Sequence, residues 1–258
     1  MRFSVLASSS KGNATVISSG NTHLLVDAGI SALRIRNNLQ ECGLSVAQLS
    51  GVLFTHEHND HIAGVGVLSK KDKLNIYCTR YMGQELRGVI HQAAFTYTEP
   101  GSRVQIGDIA VTPFSVQHDA TDPVGYLFEA NGKRLGYVTD TGKVTRDMAT
   151  LLREVHALYI ESNHDPEMLR NSGRPYNLIE RIGGNFGHLS NAQAAEFVRS
   201  IAHNGLQHIV LGHLSEDCNT PATALSCMQQ VLRELQLPTE LSCAPATTRL
   251  PWIHIHTP

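Results

Sequence analysis

Apolar positions along the chain follow two rhythms. Alternating or continuous apolar runs at 2–7, 14–18, 23–27 and 51–55 predict strands, with the polar stretch Ser8-Ser9-Ser10-Lys11-Gly12-Asn13 as the first loop. Between the third and fourth, Ser31 reads as an N-cap, Ala32, Ile35, Leu39 and Cys42 keep helical spacing, and Gly43 closes the helix. A helix over 61–69, a strand over 74–78 and a helix from Thr79 to Ile90 follow. In the second half, 104–106 and 109–116 flank Gly107-Asp108, and 124–130 and 133–139 flank Asn131-Gly132, so both pairs predict hairpins. A helix over 144–154 and a strand over 157–160 come next. Residues 165–187 lack periodicity and predict a long loop with one short helix. Ser190 and Gln193 form a capping-box pattern for a helix to Ala202, and Thr220-Pro221 opens another to Leu235. Strands at 208–211, 239–243 and 252–256 complete the chain. With no linker and no repeat, the pattern describes a single domain over 1–258, of mixed α/β (α+β) class, in which two sheets are covered by helices.

Composition supports this and narrows the chemistry. At 258 residues, 41% hydrophobic and 17% charged, the chain can bury a large core. A formal net charge of −2 excludes a broadly basic surface, although a local basic groove suffices for nucleic acid. Cys42, Cys78, Cys218, Cys227 and Cys243 form no C-x-x-C pair, which fits reduced thiols in a cytoplasmic protein. No signal peptide is evident, and no apolar stretch approaches the roughly 20 residues of a membrane span, so no membrane partner is expected.

The densest chemistry lies at Thr55-His56-Glu57-His58-Asn59-Asp60-His61, directly after an apolar run. Three imidazoles and a carboxylate this close suit a first-row divalent metal. Further candidates recur where apolar runs meet polar loops: Asp27, His118, Asp140 and His213.

This layout resembles the metallo-β-lactamase superfamily over nearly the full length. The resemblance implies a four-layer αβ/βα sandwich of two mixed β-sheets flanked by helices. It also implies two divalent ions, Zn²⁺ or Mn²⁺, with Fe²⁺ accepted by the same donors. His56, His58 and His118 would hold one ion, and Asp60, His61 and His213 the other. Asp140 would bridge them, and Asp27 would orient a ligand from behind. Two ions sharing a carboxylate can hold a bridging hydroxide for attack on phosphorus and offset charge on a phosphoryl group.

Two later stretches select a branch. Gly187-His188-Leu189-Ser190-Asn191-Ala192 and Ile160-Glu161-Ser162-Asn163 resemble segments of tRNase Z-type phosphodiesterases, with Ser162 and Asn163 replacing Ala and Thr. In that branch the His protonates the leaving oxygen and the Glu orients it, which here implies His188 and Glu161, with Asp60 also addressing the nucleophile. The stretches 7–15 (ASSSKGNAT), His118-Asp119 with Pro123–Tyr126, 161–165 (ESNHD), Arg174-Pro175-Tyr176 and 187–191 are similar to the compact YycJ/WalJ-like group. That likeness implies a 5′-to-3′ exonuclease acting on DNA in preference to RNA. Ser8, Ser9, Ser10, Lys11 and Asn13, with Arg170, Arg174 and Arg181, are the candidate phosphate contacts, and Tyr176 and Phe186 the nearby aromatics. The same residues also accommodate an RNA-processing nuclease or a small-molecule phosphodiesterase. Outside that class, the scaffold accommodates a thiolester hydrolase, an iron-dependent oxygenase or a non-catalytic metal-binding protein.

Overall fold

The computed structural model describes residues 1–256. Its first seven-stranded sheet carries β1 (Arg2–Ala7), β2 (Ala14–Ser19), β3 (Thr22–Val26), β4 (Gly51–Leu53), β5 (Leu74–Cys78) and β6 (Ala93–Tyr97), with β14 (Ile253–His254) beside β1. The second seven-stranded sheet carries β7 (Val104–Ile106), β8 (Ile109–Ser115), β9 (Val124–Ala130), β10 (Lys133–Val138), β11 (Ala157–Glu161), β12 (His208–Gly212) and β13 (Glu240–Cys243) in chain order. Each sheet begins as an antiparallel meander and continues with parallel strands.

Period-two alternation within single strands builds the layers. In β9, Tyr126 and Phe128 face the core shared with the other sheet, while Leu127 faces the outer helices. In β11, Tyr159 points inward and Leu158 and Ile160 outward, and β12 repeats this with Val210 against Ile209 and Leu211. The outer apolar set packs on α5 (Arg146–Leu152), α8 (Asn191–Ile201) and α9 (Pro221–Glu234). On the other side, α1 (Ala32–Glu41), α3 (Val65–Lys71) and α4 (Arg80–Leu86) cover the first sheet through Ile35, Leu39, Leu68 and Met82. Tyr126 Oη donates to the Phe54 carbonyl at 2.5 Å and ties the sheets together beside the His56–His61 segment.

The structure differs from expectation in four places. The 61–69 helix is split into α2 (Asn59–Ile62) and α3, because Gly64 is pressed against the Ala28–Ile30 turn; a Cβ there would lie 2.2 Å from the Ile30 carbonyl oxygen. The helix from Thr79 ends at Leu86, short of Ile90. Strand β6 was absent from the expected elements; as an edge strand it buries no side chain fully and carries no strong apolar signal. The 165–187 stretch holds two helices, α6 (Pro166–Arg170) and α7 (Tyr176–Gly183), and α7 buries no residue fully.

Strand direction decides where the chemistry collects. β3 and β4 run parallel, and Asp27 and the His56–His61 segment follow their C-terminal ends. β8 is antiparallel to β9 and β9 to β10, so β8 runs with β10, β11 and β12. Their C-terminal ends therefore deliver His118, Asp140, Glu161 and His213 to one edge, the usual ligand side of such sheets.

Candidate metal centre

Three of these strand ends turn abruptly to present their side chains. Asp27, Asp140 and His213 adopt left-handed backbone conformations, with φ of 60°, 48° and 50°. Such geometry is unfavourable for residues other than glycine and persists only where the surroundings enforce it. Gly29 permits the closest approach: a Cβ there would lie 1.6 Å from the Asp60 carbonyl oxygen.

The side chains converge as overlapping potential donor sets: His56, His58 and His118; His56, His61 and Asp140; Asp60, His61 and His213. In a fourth set Asp140 meets Glu161, His188 and His213. Asp140 thus lies where the sets overlap, with Oδ2 at 3.2 Å from His61 Nε2 and Oδ1 at 3.8 Å from His118 Nε2. Thr139 Oγ1 donates to Asp140 at 2.6 Å.

Hydrogen bonds behind the imidazoles orient their lone pairs inward. His61 Nδ1 donates to Asp27 at 2.8 Å, which turns Nε2 towards the Asp60 and Asp140 carboxylates. His118 Nδ1 donates to the Gly187 carbonyl at 3.1 Å, so its Nε2 lone pair faces His58 Nδ1 at 3.3 Å. His56 Nε2 is buried with no hydrogen-bond partner. Lone pairs and carboxylates aimed at one another in a buried space repel unless a cation lies between them, so the donor set fits divalent metal.

Charge coupling points the same way. Burial works against the His213 charge, but Asp140, Asp60 and Glu161 outweigh it and raise the imidazole to about 10. Burial likewise opposes the His61 charge, and Asp27 and Asp140 overcome it, holding His61 well above the ordinary imidazole range. Burial disfavours the Asp60 carboxylate, yet hydrogen bonds from His213 and His61 keep it ionised far into acid. Burial lowers His56 and His118, which suits neutral ligands.

Asp27 accepts from Thr55 N and Thr55 Oγ1, both at 2.9 Å, as well as from His61. Replacing it with alanine should free the His61 ring and weaken metal binding by about 10- to 100-fold, the usual effect of losing such a partner. Competition against a chromophoric chelator measures this, and unchanged affinity would refute the orienting role.

His188 stands beside the donor sets with a 20% exposed side chain, and its Nδ1 lies 3.1 Å from Oε2 of the fully buried Glu161. Glu161 Oε1 accepts from the Thr141 and Leu189 amides at 2.6 and 3.2 Å, which locks the carboxylate in place. Burial pushes Glu161 up, but His188 and His213 outweigh it and keep the group ionised.

Of the expected phosphate contacts, Ser8, Ser9 and Asn13 require correction. Ser8 is buried, and its Oγ accepts from the His213 amide at 2.6 Å and pairs with Tyr159 Oη, so it supports His213. Ser9 and Asn13 are buried and bonded to each other, and Asn13 Nδ2 also reaches His61 Nε2 and Asp60. Lys11 pairs with Glu216, and Arg174 with Asp217 at 2.8 Å. Ser10 and Arg181 do line the cleft, a space of about 150 Å³. Arg181 is held by Asp119, with Nε at 2.6 Å from Oδ2.

Two supporting residues lie within the quoted motifs but had been given no role of their own. Thr55 links Asp27 to both His56 and His61, and Asn163 donates to the His213 carbonyl at 2.9 Å. Position alone could have signalled Thr55, since it directly precedes His56. The departures at Ser162 and Asn163 are absorbed by such roles, with Ser162 Oγ donating to Asn191 at 2.6 Å.

His164 adds a separate pH effect. It is buried, its Nδ1 lacks a partner, and burial lowers it from 6.5 to about 4. Between those values the unfolded chain binds a proton that the folded chain does not, so stability falls as pH drops from 6.5 towards 4. The full effect is about 3 kcal/mol at roughly 1.4 kcal/mol per unit. Urea melts across this range should show a shallower decline for His164→Gln than for wild type; parallel curves would count against it.

This architecture defines a class. The β-lactamase superfamily domain model matches residues 22–214, and the chain belongs to the metallo-β-lactamase superfamily of metal-dependent hydrolases. Exodeoxyribonuclease YycJ of Bacillus anthracis is 38% identical over 237 residues, covering 91% of this chain and 90% of that protein. Exodeoxyribonuclease WalJ of Streptococcus pneumoniae serotype 2 is 36% identical over 241 residues, covering 92% and 90%. Among solved structures, the metallo-β-lactamase-fold protein YhfI of Bacillus subtilis has a TM-score of 0.74 at 16% identity, covering 96% of this chain and 99% of that one, a likeness of fold.

Proposed function

We propose that the protein is a two-metal phosphodiesterase that degrades DNA exonucleolytically from the 5′ end. One observation carries the reading: a hydrogen-bonded His188–Glu161 pair opens into the same cleft as the overlapping His/Asp donor sets. The exodeoxyribonuclease names of YycJ and WalJ support it.

His56, His58 and His118 would hold one ion, Asp60, His61 and His213 the second, and Asp140 would contribute to both, with Zn²⁺ or Mn²⁺ as occupants. When bound, such ions activate water at neutral pH and offset the negative charge that develops on phosphorus. Asp60, partly open to the cleft, orients the nucleophile through a hydrogen bond. Glu161 holds His188 by Nδ1, leaving Nε2 to protonate the departing oxygen. Ser10 and Arg181 replace the buried serines and Asn13 as the phosphate contacts. The likeness to exodeoxyribonucleases supports a cytoplasmic location; among the described residues no helix is long and apolar enough to cross a membrane.

The test joins metal analysis to a time course on 5′- and 3′-labelled DNA and RNA with Mn²⁺ or Zn²⁺. Stepwise release from the 5′ end of DNA is expected. Internal fragments, or no cleavage with any metal, would overturn the proposal. The small cleft also favours a second reading, a low-molecular-weight phosphodiester substrate, which a model diester cleaved far faster than any oligonucleotide would support.

A further inference from the structure

A larger concavity of about 800 Å³ adjoins the cleft. The two share His118, and the amide of Asp119, a cleft residue, donates to the Phe186 carbonyl of the groove at 3.1 Å. Buried Phe114, Val116 and Met148 line the groove, and Phe186, 61% exposed, borders it. No lysine or arginine lines it, and the carboxylate of Asp147 contributes negative charge. The cleft, in contrast, contains Arg181 and the imidazole cluster. The two spaces therefore divide a nucleotide chemically. Phosphate is attracted to the cleft and disfavoured in the groove, whose apolar lining and aromatic residue suit an uncharged heterocycle. The size of the groove lies within the roughly 300–1,000 Å³ of small-molecule sites.

We propose that this groove is a nucleoside subsite in which a base next to the scissile phosphate stacks on Phe186. His118 lines both spaces, so the groove adjoins the cleft, and this adjacency selects a nucleotide of the same substrate as its occupant. Every base has a π-face, so such a contact tolerates any sequence. The inference rests on the nuclease reading above and adds how the substrate is held.

The test uses the full-length metal-loaded protein and the Phe186→Ala variant, whose exposed ring bears no folding load. Oligonucleotides carry an abasic residue at the terminal or the penultimate position. At one of these positions, base removal is expected to lower wild-type kcat/KM by about 5- to 100-fold, the range of base–aromatic stacking. Phe186→Ala should show that loss on intact DNA and little further loss on the abasic strand. In the metal-free protein, 2-aminopurine at the same position should be quenched on binding wild type and much less on binding the variant. Equal abasic losses in both proteins, no abasic effect in a wild type that cleaves DNA, or equal quenching would overturn the subsite while leaving the nuclease reading intact. A metal-loaded wild type that cleaves no oligonucleotide would overturn both.

Discussion

A metal-loaded His188→Ala protein is expected to keep its divalent metal and to cleave DNA about 10²- to 10⁴-fold more slowly, the scale of general acid catalysis. His188 is partly exposed, and its Nδ1 is engaged by a carboxylate locked by two backbone amides. That arrangement suits proton delivery. The alternative is geometrically live, because His188 also falls within the donor set of Asp140, Glu161 and His213. Metal analysis separates the two: a ligand's loss lowers metal content, whereas an acid's loss does not. Leaving-group chemistry provides a second check. A p-nitrophenyl diester releases a stable anion and needs little protonation, so the defect should shrink sharply on it. An equal defect on both substrates would remove His188 from the acid role.

Asp140→Ala is expected to abolish stable binding of a metal pair and to lower activity by at least about 10³-fold, because catalytic ions supply several kcal/mol of transition-state stabilisation. Asp140 is buried among His61, His118, His188 and His213 and belongs to two of the overlapping donor sets. The carboxylate also controls the protons. With Asp60 and Glu161, it raises His213 to about 10 against the effect of burial. In the metal-free protein this contribution to stability is complete below the ordinary 6.5 and decays as pH rises through about 10. Metal must displace the same protons, so apparent metal affinity should rise with pH over that interval. Calorimetry in buffers of different ionisation enthalpy should detect proton release from wild type and less from Asp140→Ala. A variant retaining two ions and near-native turnover would refute the shared role.

Many strands were legible because each is a short apolar run bounded by turn residues, and the Asn131-Gly132 hairpin is explicit in the residues themselves. β6 was not, since as an edge strand it buries no residue fully, and α7 was not, since its apolar face of Leu178, Ile179 and Ile182 spans barely two turns among Gly, Asn, Arg and Pro. The His56–His61 cluster was legible because ligands so dense are uncommon by chance, and Asp27, His118, Asp140 and His213 because each follows an apolar run. A left-handed φ at three of those four positions is the structural counterpart of that abrupt change from apolar to polar.

By itself, then, the sequence determined the layered class and the candidate donors, while the His188–Glu161 pair came only from the likeness to tRNase Z-type segments. Local rules suffice there: side-chain period, turn chemistry and ligand density all act within a few residues. Only the tertiary structure decided how these groups are used. Ser8 supports His213 from 205 residues away, Glu161 is locked by Thr141 and Leu189, and Lys11 and Arg174 are drawn to Glu216 and Asp217. A hydroxyl or a cation satisfies whichever partner packing brings near, and that partner lies too far along the chain for any local pattern to encode.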